Sequence, residues 1–225
     1  MTYKERVQLV KVPSYTKGQE RFNFISHFVG VPIGLALIVL AIIFFAKNII
    51  SVPYFIGLII FGLSEISVYL VSAIYHAGDP DKHSKKIKRI IDHCAIYLLV
   101  AGTYTPICIY LLKDHVIGWV ILALQWSLAI IGIVLNAIDL ENKIVKTISM
   151  ILYLLMGWMI LFVGGFIYLP IIVFSFVLAG GIIYTIGSIL YGIGRKNANF
   201  HGVFHIFCLF GTILQAIGVI ILLIN

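Results

Sequence analysis

From residue 24 onward the chain is a succession of apolar runs too long for the core of a globular domain. Seven can be marked, at about 24–46, 52–75, 90–112, 116–138, 144–163, 171–191 and 200–224. Each holds roughly 20 residues or slightly more, the length that carries an α-helix across the hydrocarbon of a bilayer. None alternates apolar and polar positions with period two, which excludes the strands of a membrane barrel. The pattern predicts an all-α, integral membrane bundle of seven transmembrane helices. The fifth and sixth runs are the hardest to separate. Between 144 and 191 the strong punctuation is Gly164, Gly165 and Pro170, so the break is placed there. Gly30 and Gly34 are spaced for close helix contact, Pro53 suits a first helical turn, and Pro106 predicts a kink in the third run.

Lys and Arg orient the bundle. Fourteen of the 16 fall in the N-terminal segment and in the second, fourth and sixth loops, among them Lys82, Arg195 and Lys196; only Lys47 and Lys113 fall on the other side. The positive-inside rule then places the N-terminus in the cytoplasm and the C-terminus outside. Residues 1–22 are polar and basic, with no cleavable signal peptide. They read as a cytoplasmic segment ahead of a single seven-helix domain, 23–225, whose first run stays as an anchor.

Composition supports this class. The chain is 61% hydrophobic and 11% charged, with a mean hydropathy of +1.09, which excludes a soluble domain. The net charge of +7 is scattered over short loops. That suits an anionic cytoplasmic leaflet and excludes nucleic acid as a partner. Cys94, Cys108 and Cys208 each sit inside an apolar run and form no disulfide framework. The expected location is the cell membrane and the expected partners are membrane lipids. Nothing in the pattern specifies an oligomer.

Chemistry collects at one membrane face. His201 and His205 open the last run, four apart and therefore one turn apart on one helix face. His76 ends the second run and Asp92 begins the third, both at the same cytoplasmic side. Three histidines with an open fourth position form the pattern of a catalytic zinc site. Ser72 precedes His76 by one turn, placed to hydrogen-bond a ligand or a substrate carbonyl. His93 points about 100° away from Asp92 and suits a structural hydrogen bond. Glu20, Asn23 and His27 share a face at the start of the first run, beside Ser26, and are placed to support metal-ligating side chains. Cys208 shares the face of His201 and His205 but is small and apolar, and reads as packing. Glu65 stands apart, mid-membrane, about 16 Å along its helix from His76; an acid there is costly and needs a partner.

Four motifs together resemble a known family. Ser72-x-x-x-His76 is the first. The block Asp92-His93-Cys94-Ala95-Ile96-Tyr97, continued by Ala101-Gly102-Thr103-Tyr104-Thr105-Pro106, is the second. Glu20-x-x-Asn23-x-x-Ser26-His27 and His201-x-x-x-His205 complete the set. In this order they resemble the bacterial haemolysin III proteins of the progestin and adipoQ receptor family, from about Glu20 to the C-terminus. The resemblance implies a seven-helix bundle with a buried zinc near the cytoplasmic face. Its ligands would be His76, His201 and His205, and Asp92 would hold a water at the metal. The wider superfamily includes alkaline ceramidases, so the resemblance implies a zinc-dependent hydrolase of a lipid amide. Two alternatives stand beside it: a non-catalytic membrane-homeostasis sensor with structural zinc, and a cytolytic pore-forming protein, as the haemolysin name implies. The chain shows no amphipathic toxin segment that would serve a pore.

Overall fold

The computed structural model describes residues 2–79, 83–111, 113–193, 197 and 199–224. Lys82, Arg195 and Lys196, three of the orienting cations, and Leu112 at the end of the third run lie outside the described residues. Among those described there are helices and no strands. In chain order they are α1 (Tyr3–Leu9), α2 (Lys17–Phe28), α3 (Val31–Ala46), α4 (Val52–His76), α5 (His83–Leu111), α6 (Ile117–Asp139), α7 (Lys143–Gly157), α8 (Met159–Phe162), α9 (Gly165–Tyr168), α10 (Ile171–Ile193) and α11 (Asn199–Ile224). Six stretches among the described residues are long and apolar enough to cross a membrane: α2 with α3, then α4, α5, α6, α10 and α11.

Outward faces are apolar, as lipid-facing surfaces must be. Leu35, Val39 and Ile42 on α3, and Ile182, Ile186 and Ile189 on α10, recur at i, i+4, i+7 and are all exposed. The interior is built from Leu37, Leu58, Phe61, Ile107, Ile121, Val173 and Val219, drawn from six helices. Where helices cross closely a glycine makes room. A Cβ on Gly34 would lie 2.6 Å from the Gly62 carbonyl oxygen, and one on Gly62 would lie 2.8 Å from the Gly34 oxygen. The small pair lets α3 and α4 touch backbone to backbone.

Three of the apolar runs differ from the helices observed. The first run was expected to begin at 24; helix begins at Lys17, because Thr16 and Gln19 form a reciprocal capping box, and the run is interrupted at Val29 and Gly30, between α2 and α3. The third was expected from 90; α5 begins at His83, since its first two turns are basic and lie beyond the apolar zone. The fifth run is not one helix. It breaks at Trp158, between α7 and α8, and again at Gly164, whose φ of +69° suits a residue without a side chain. The second break was expected and the first was not. At Trp158 a neighbour takes over the backbone bonds: the Tyr104 hydroxyl donates to the Gly157 carbonyl (2.9 Å) and accepts from the Ile160 N–H (3.0 Å). Gln125 Nε2 donates to the Met156 carbonyl (2.8 Å). Side chains of α5 and α6 thereby satisfy polar groups that no lipid could satisfy. The same segment starts beside Glu141, to which Lys146 is paired. It ends with the Tyr168 ring 4.7 Å from that of His115, in the loop between α5 and α6.

The N-terminal segment is docked. Val7 and Val10 are buried against Ile90 and Leu140, and Arg6 pairs with Asp139 at 3.1 Å. Glu141 joins several pieces: it accepts from the Lys11 backbone N–H (3.1 Å), Arg89 (2.7 Å) and Lys146 (2.5 Å). Arg89 also donates to the Lys11 carbonyl and Lys86 to that of Gln8.

Gly62→Leu forces the α3–α4 crossing apart. The expected cost is about 1–3 kcal/mol, typical of overpacking, read as a lower thermal midpoint in detergent; an unchanged midpoint contradicts the close approach. Glu141 supplies a pH dependence. Burial works to raise its carboxyl, but the Lys146 and Lys11 hydrogen bonds and the Arg89 charge outweigh burial and hold it below the usual carboxylate range. A depressed carboxylate stabilises above its unfolded value and loses that contribution as pH falls through the folded one. Hydrogen exchange, corrected for intrinsic rate, is therefore expected to show α1 protected at pH 7 and released only at pH below the ordinary carboxylate range. Glu141→Gln is expected to release it already at pH 7.

Candidate metal centre

Four elements meet at the end of the bundle where α4 finishes and α11 begins. α4 supplies Ser72 and His76, α11 supplies His201 and His205, α2 supplies Glu20, Asn23, Ser26 and His27, and α5 supplies Lys85, Arg89 and Asp92. His76, His201 and His205 come together: each offers a ring nitrogen, and the three nitrogens lie within 4.8 Å of one another. His76 and His205 are buried and His201 is half-buried. The His201 Nε2 stands 3.2 Å from that of His76 and 3.1 Å from that of His205.

The outer nitrogens decide what these inner atoms can be. His76 Nδ1 donates to Glu20 Oε2 at 2.7 Å. His205 Nδ1 lies 3.1 Å from Ser26 Oγ, and the Ser26 hydroxyl donates onward to the Asn23 carbonyl. Ser26 has spent its proton, so it accepts from His205. With a proton on Nδ1, a neutral imidazole presents a bare lone pair at Nε2. Lone pairs facing each other at this distance repel unless a cation or a proton lies between them. Tetrahedral ligands at 2.0–2.1 Å from one ion are about 3.3 Å apart, close to the spacing seen. The donor set fits a metal ion that binds imidazole, with the ring orientation held by Glu20 and Ser26 as ligating histidines usually are.

Asp92 faces the Ser72 hydroxyl and the His76 imidazole, so the carboxylate stands at the edge of the triad. Asn23 reaches His205 through its backbone carbonyl. His27 reaches it through its ring, with centroids 3.6 Å apart. His93 faces away, toward Arg89, Glu141 and Lys146. Cys208, almost one turn beyond His205, is not a member of the three-histidine group.

Two residues carry roles that the sequence reading did not assign. Lys85 is wholly buried: its Nζ donates to Glu20 Oε1 (2.5 Å) and to the Gly78 carbonyl (2.9 Å). In the sequence it disappears into a basic run, yet Lys85, Arg89 and Asp92 at i, i+4, i+7 share one helix face, and that spacing was the available signal. Tyr15 covers the triad from the segment between α1 and α2. Its ring stacks on His201 (centroids 5.3 Å, interplanar 20°) and meets His76 edge-on (5.8 Å). Burial pushes its phenol up from the ordinary tyrosine value. Tyr15 lies in an irregular stretch with no periodicity to betray it. Beside the centre, a recess of about 310 Å³ opens between α2 and α11, lined by Phe22, Asn23, Asn199, Gly202 and Val203 among others.

Comparison with known proteins identifies the family. Residues 15–216 match the model of the family described as Haemolysin-III related. The chain is 37% identical over 200 residues to the "Hemolysin-3 homolog" of Bacillus subtilis (strain 168), covering 88% of this chain and 91% of that one. It is 32% identical over 210 residues to the "Hemolysin-3" of Bacillus cereus, covering 92% and 93%. With its apolar helices and this match over most of its length, the chain is a multi-pass protein of the cell membrane and belongs to the haemolysin III family.

Proposed function

We propose that the chain is a zinc-dependent hydrolase of a membrane lipid amide, ceramidase-like, with its centre at the cytoplasmic face. The observation that carries this reading is the convergence of three imidazole Nε2 atoms, two of them set by Nδ1 partners, beside a carboxylate that is not one of the three. His76, His201 and His205 would hold Zn²⁺; three protein ligands leave a position open, and the ion supplies positive charge there to polarise a carbonyl or a water. Asp92 orients a water against that position and accepts its proton. Ser72 holds the Asp92 carboxylate. Once Asp92 is protonated, the Ser72 hydroxyl is released to donate to the carbonyl oxygen as charge develops. The proton on Asp92 then passes to the leaving amine. The recess between α2 and α11 supports lateral entry from lipid, since Phe22 and Val203 at its rim are exposed apolar residues.

We further propose seven crossings, with residues 1–22 in the cytoplasm and the C-terminus outside. α7, α8 and α9 supply the additional crossing: the segment begins at Glu141 and ends against His115, at opposite ends of α6. The basic asymmetry of the loops gives the orientation.

Tyr15 stacked on His201 favours a second reading, a membrane sensor with structural zinc, because it covers one side of the centre. The name hemolysin-3, carried by the Bacillus cereus relative, favours a third, cytolysis, for which dye leakage from liposomes is the discriminating assay.

Three outcomes are expected. Protein purified without added metal should carry one zinc per chain by elemental analysis, and replacement of His76, His201 and His205 by alanine should remove it; zinc content unchanged by the triple replacement would overturn the assignment. Asp92→Asn should keep zinc and fold while release of fatty acid from ceramide or related amides, followed by mass spectrometry, falls about 10²–10⁴-fold, the usual range for losing a general base. Equal release from both proteins removes Asp92 from the mechanism, and no release from zinc-loaded wild type across a broad lipid panel favours the sensor. Reporter fusions should place the two termini on opposite sides of the membrane; termini on the same side would exclude seven crossings.

A further inference from the structure

Glu65 lies on α4, three turns from His76, and the proposed hydrolysis does not use it. Its side chain is completely buried, and neither carboxylate oxygen makes a full hydrogen bond among the described residues. No basic side chain pairs with it there. The polar group that addresses it is the Thr212 hydroxyl on α11. Thr212, also fully buried, touches two phenols: Tyr69 Oη at 2.7 Å and Tyr184 Oη at 2.5 Å.

In each of these hydroxyl pairs either oxygen can be the donor. An acid buried without a basic partner inside a membrane bundle is tolerated in one of two ways, with a proton on the carboxylate or with a cation beside it. Oxygen atoms lacking donors are available to bind one. Besides the two of Glu65, Gln215 Oε1 lies one turn further along α11 and is buried without a donor, while its Nε2 is committed to the Val177 carbonyl at 3.0 Å. Glu65 likewise lies about one turn beyond Tyr69 on the antiparallel α4, so the two sit at similar depth. The phenol oxygens keep lone pairs of their own.

We propose that Glu65, with the hydroxyl oxygens around Thr212, Tyr69 and Tyr184, forms a mid-membrane binding site for a small monovalent cation of sodium's size, separate from the histidine centre. A single carboxylate balances a single positive charge. An all-oxygen shell of carboxylate, hydroxyl and amide carbonyl suits a hard cation rather than one that prefers imidazole or thiolate. The cation would tie α4, α10 and α11 together at the point where no lipid and no basic side chain can neutralise the acid.

The test is a thermal melt of the full-length protein in detergent, followed by tryptophan fluorescence, with zinc content measured alongside. Sodium chloride is titrated against N-methylglucamine chloride at fixed ionic strength, with lithium and potassium chloride as size controls. Wild type is expected to gain a saturable rise in midpoint with sodium, since a ligand that binds the folded state stabilises it by mass action. Glu65→Gln is expected to lose that rise and to keep the zinc content of wild type. Should Glu65→Gln fail to fold, Thr212→Val serves in its place, with the half-saturating sodium concentration raised about tenfold or more. A wild-type midpoint indifferent to all three alkali cations overturns the proposal, and one that responds only to pH assigns a proton as the occupant and overturns it equally. An undiminished sodium response in Glu65→Gln, or in Thr212→Val, places any cation elsewhere.

Discussion

One carboxylate joins the end of this bundle where α4 finishes and α11 begins. Glu20 accepts from His76 through one oxygen and from Lys85 through the other, so α2, α4 and α5 are held at a single side chain. The two bonds do different work. The Lys85 bond neutralises a charge on an acid that is largely shielded from water, where an unpaired carboxylate would be expensive. The His76 bond selects the tautomer that leaves Nε2 bare and turned inward. Remove Lys85 and Glu20 is a lone anion with reason to move; remove Glu20 and both the lysine and the imidazole lose their orientation. Structure and chemistry are coupled here because the same group serves both.

A related constraint runs through the rest of the bundle. Polar atoms that leave the helical ladder inside a membrane must be met by other protein atoms. At Trp158 the ladder is interrupted and Tyr104 and Gln125, from two different helices, take its place. Asn136 and Ser149 bond each other (2.7 Å) between α6 and α7, and the Tyr153 hydroxyl donates to the His93 carbonyl (2.8 Å). These links fall between neighbouring helices and fix how each is rotated about its axis, which apolar packing alone specifies weakly. Gly34 and Gly62 act in the complementary sense, setting how near two helices come rather than how they are turned.

How much of this was legible in the sequence depended on range. The apolar runs marked most of the long helices, because burial in lipid acts on every residue of a span and leaves a continuous trace. The histidines were legible because the same side of the membrane collects His76, His201 and His205 whatever the order of packing, and a four-residue spacing shows which two share a face. Glu20 could be placed near them by its phase with Asn23 and His27. The break at Trp158 could not be read, since its cause is a tyrosine more than 50 residues earlier. Lys85 was hidden for a similar reason: a buried lysine and a solvated one look alike in a basic run until the partner is known. Tyr15 had no trace at all, because an irregular segment carries no period.

The order in which the centre's parts appear along the chain has a consequence for how it is made. Glu20, His76 and Lys85 belong to the first helices to leave the ribosome, and His201 and His205 to the last. At about 5–20 residues per second, the interval between the two groups is on the order of 10 s. During that time the early helices can already engage through the Glu20 carboxylate, with one imidazole orientated and nothing to share it with. A single imidazole is a poor holder of any ion, so the donor set is complete only at the final step of biogenesis, when α11 packs beside α2. A chain truncated before its last helix would therefore carry His76 and its Glu20 partner without the two imidazoles that complete the cluster.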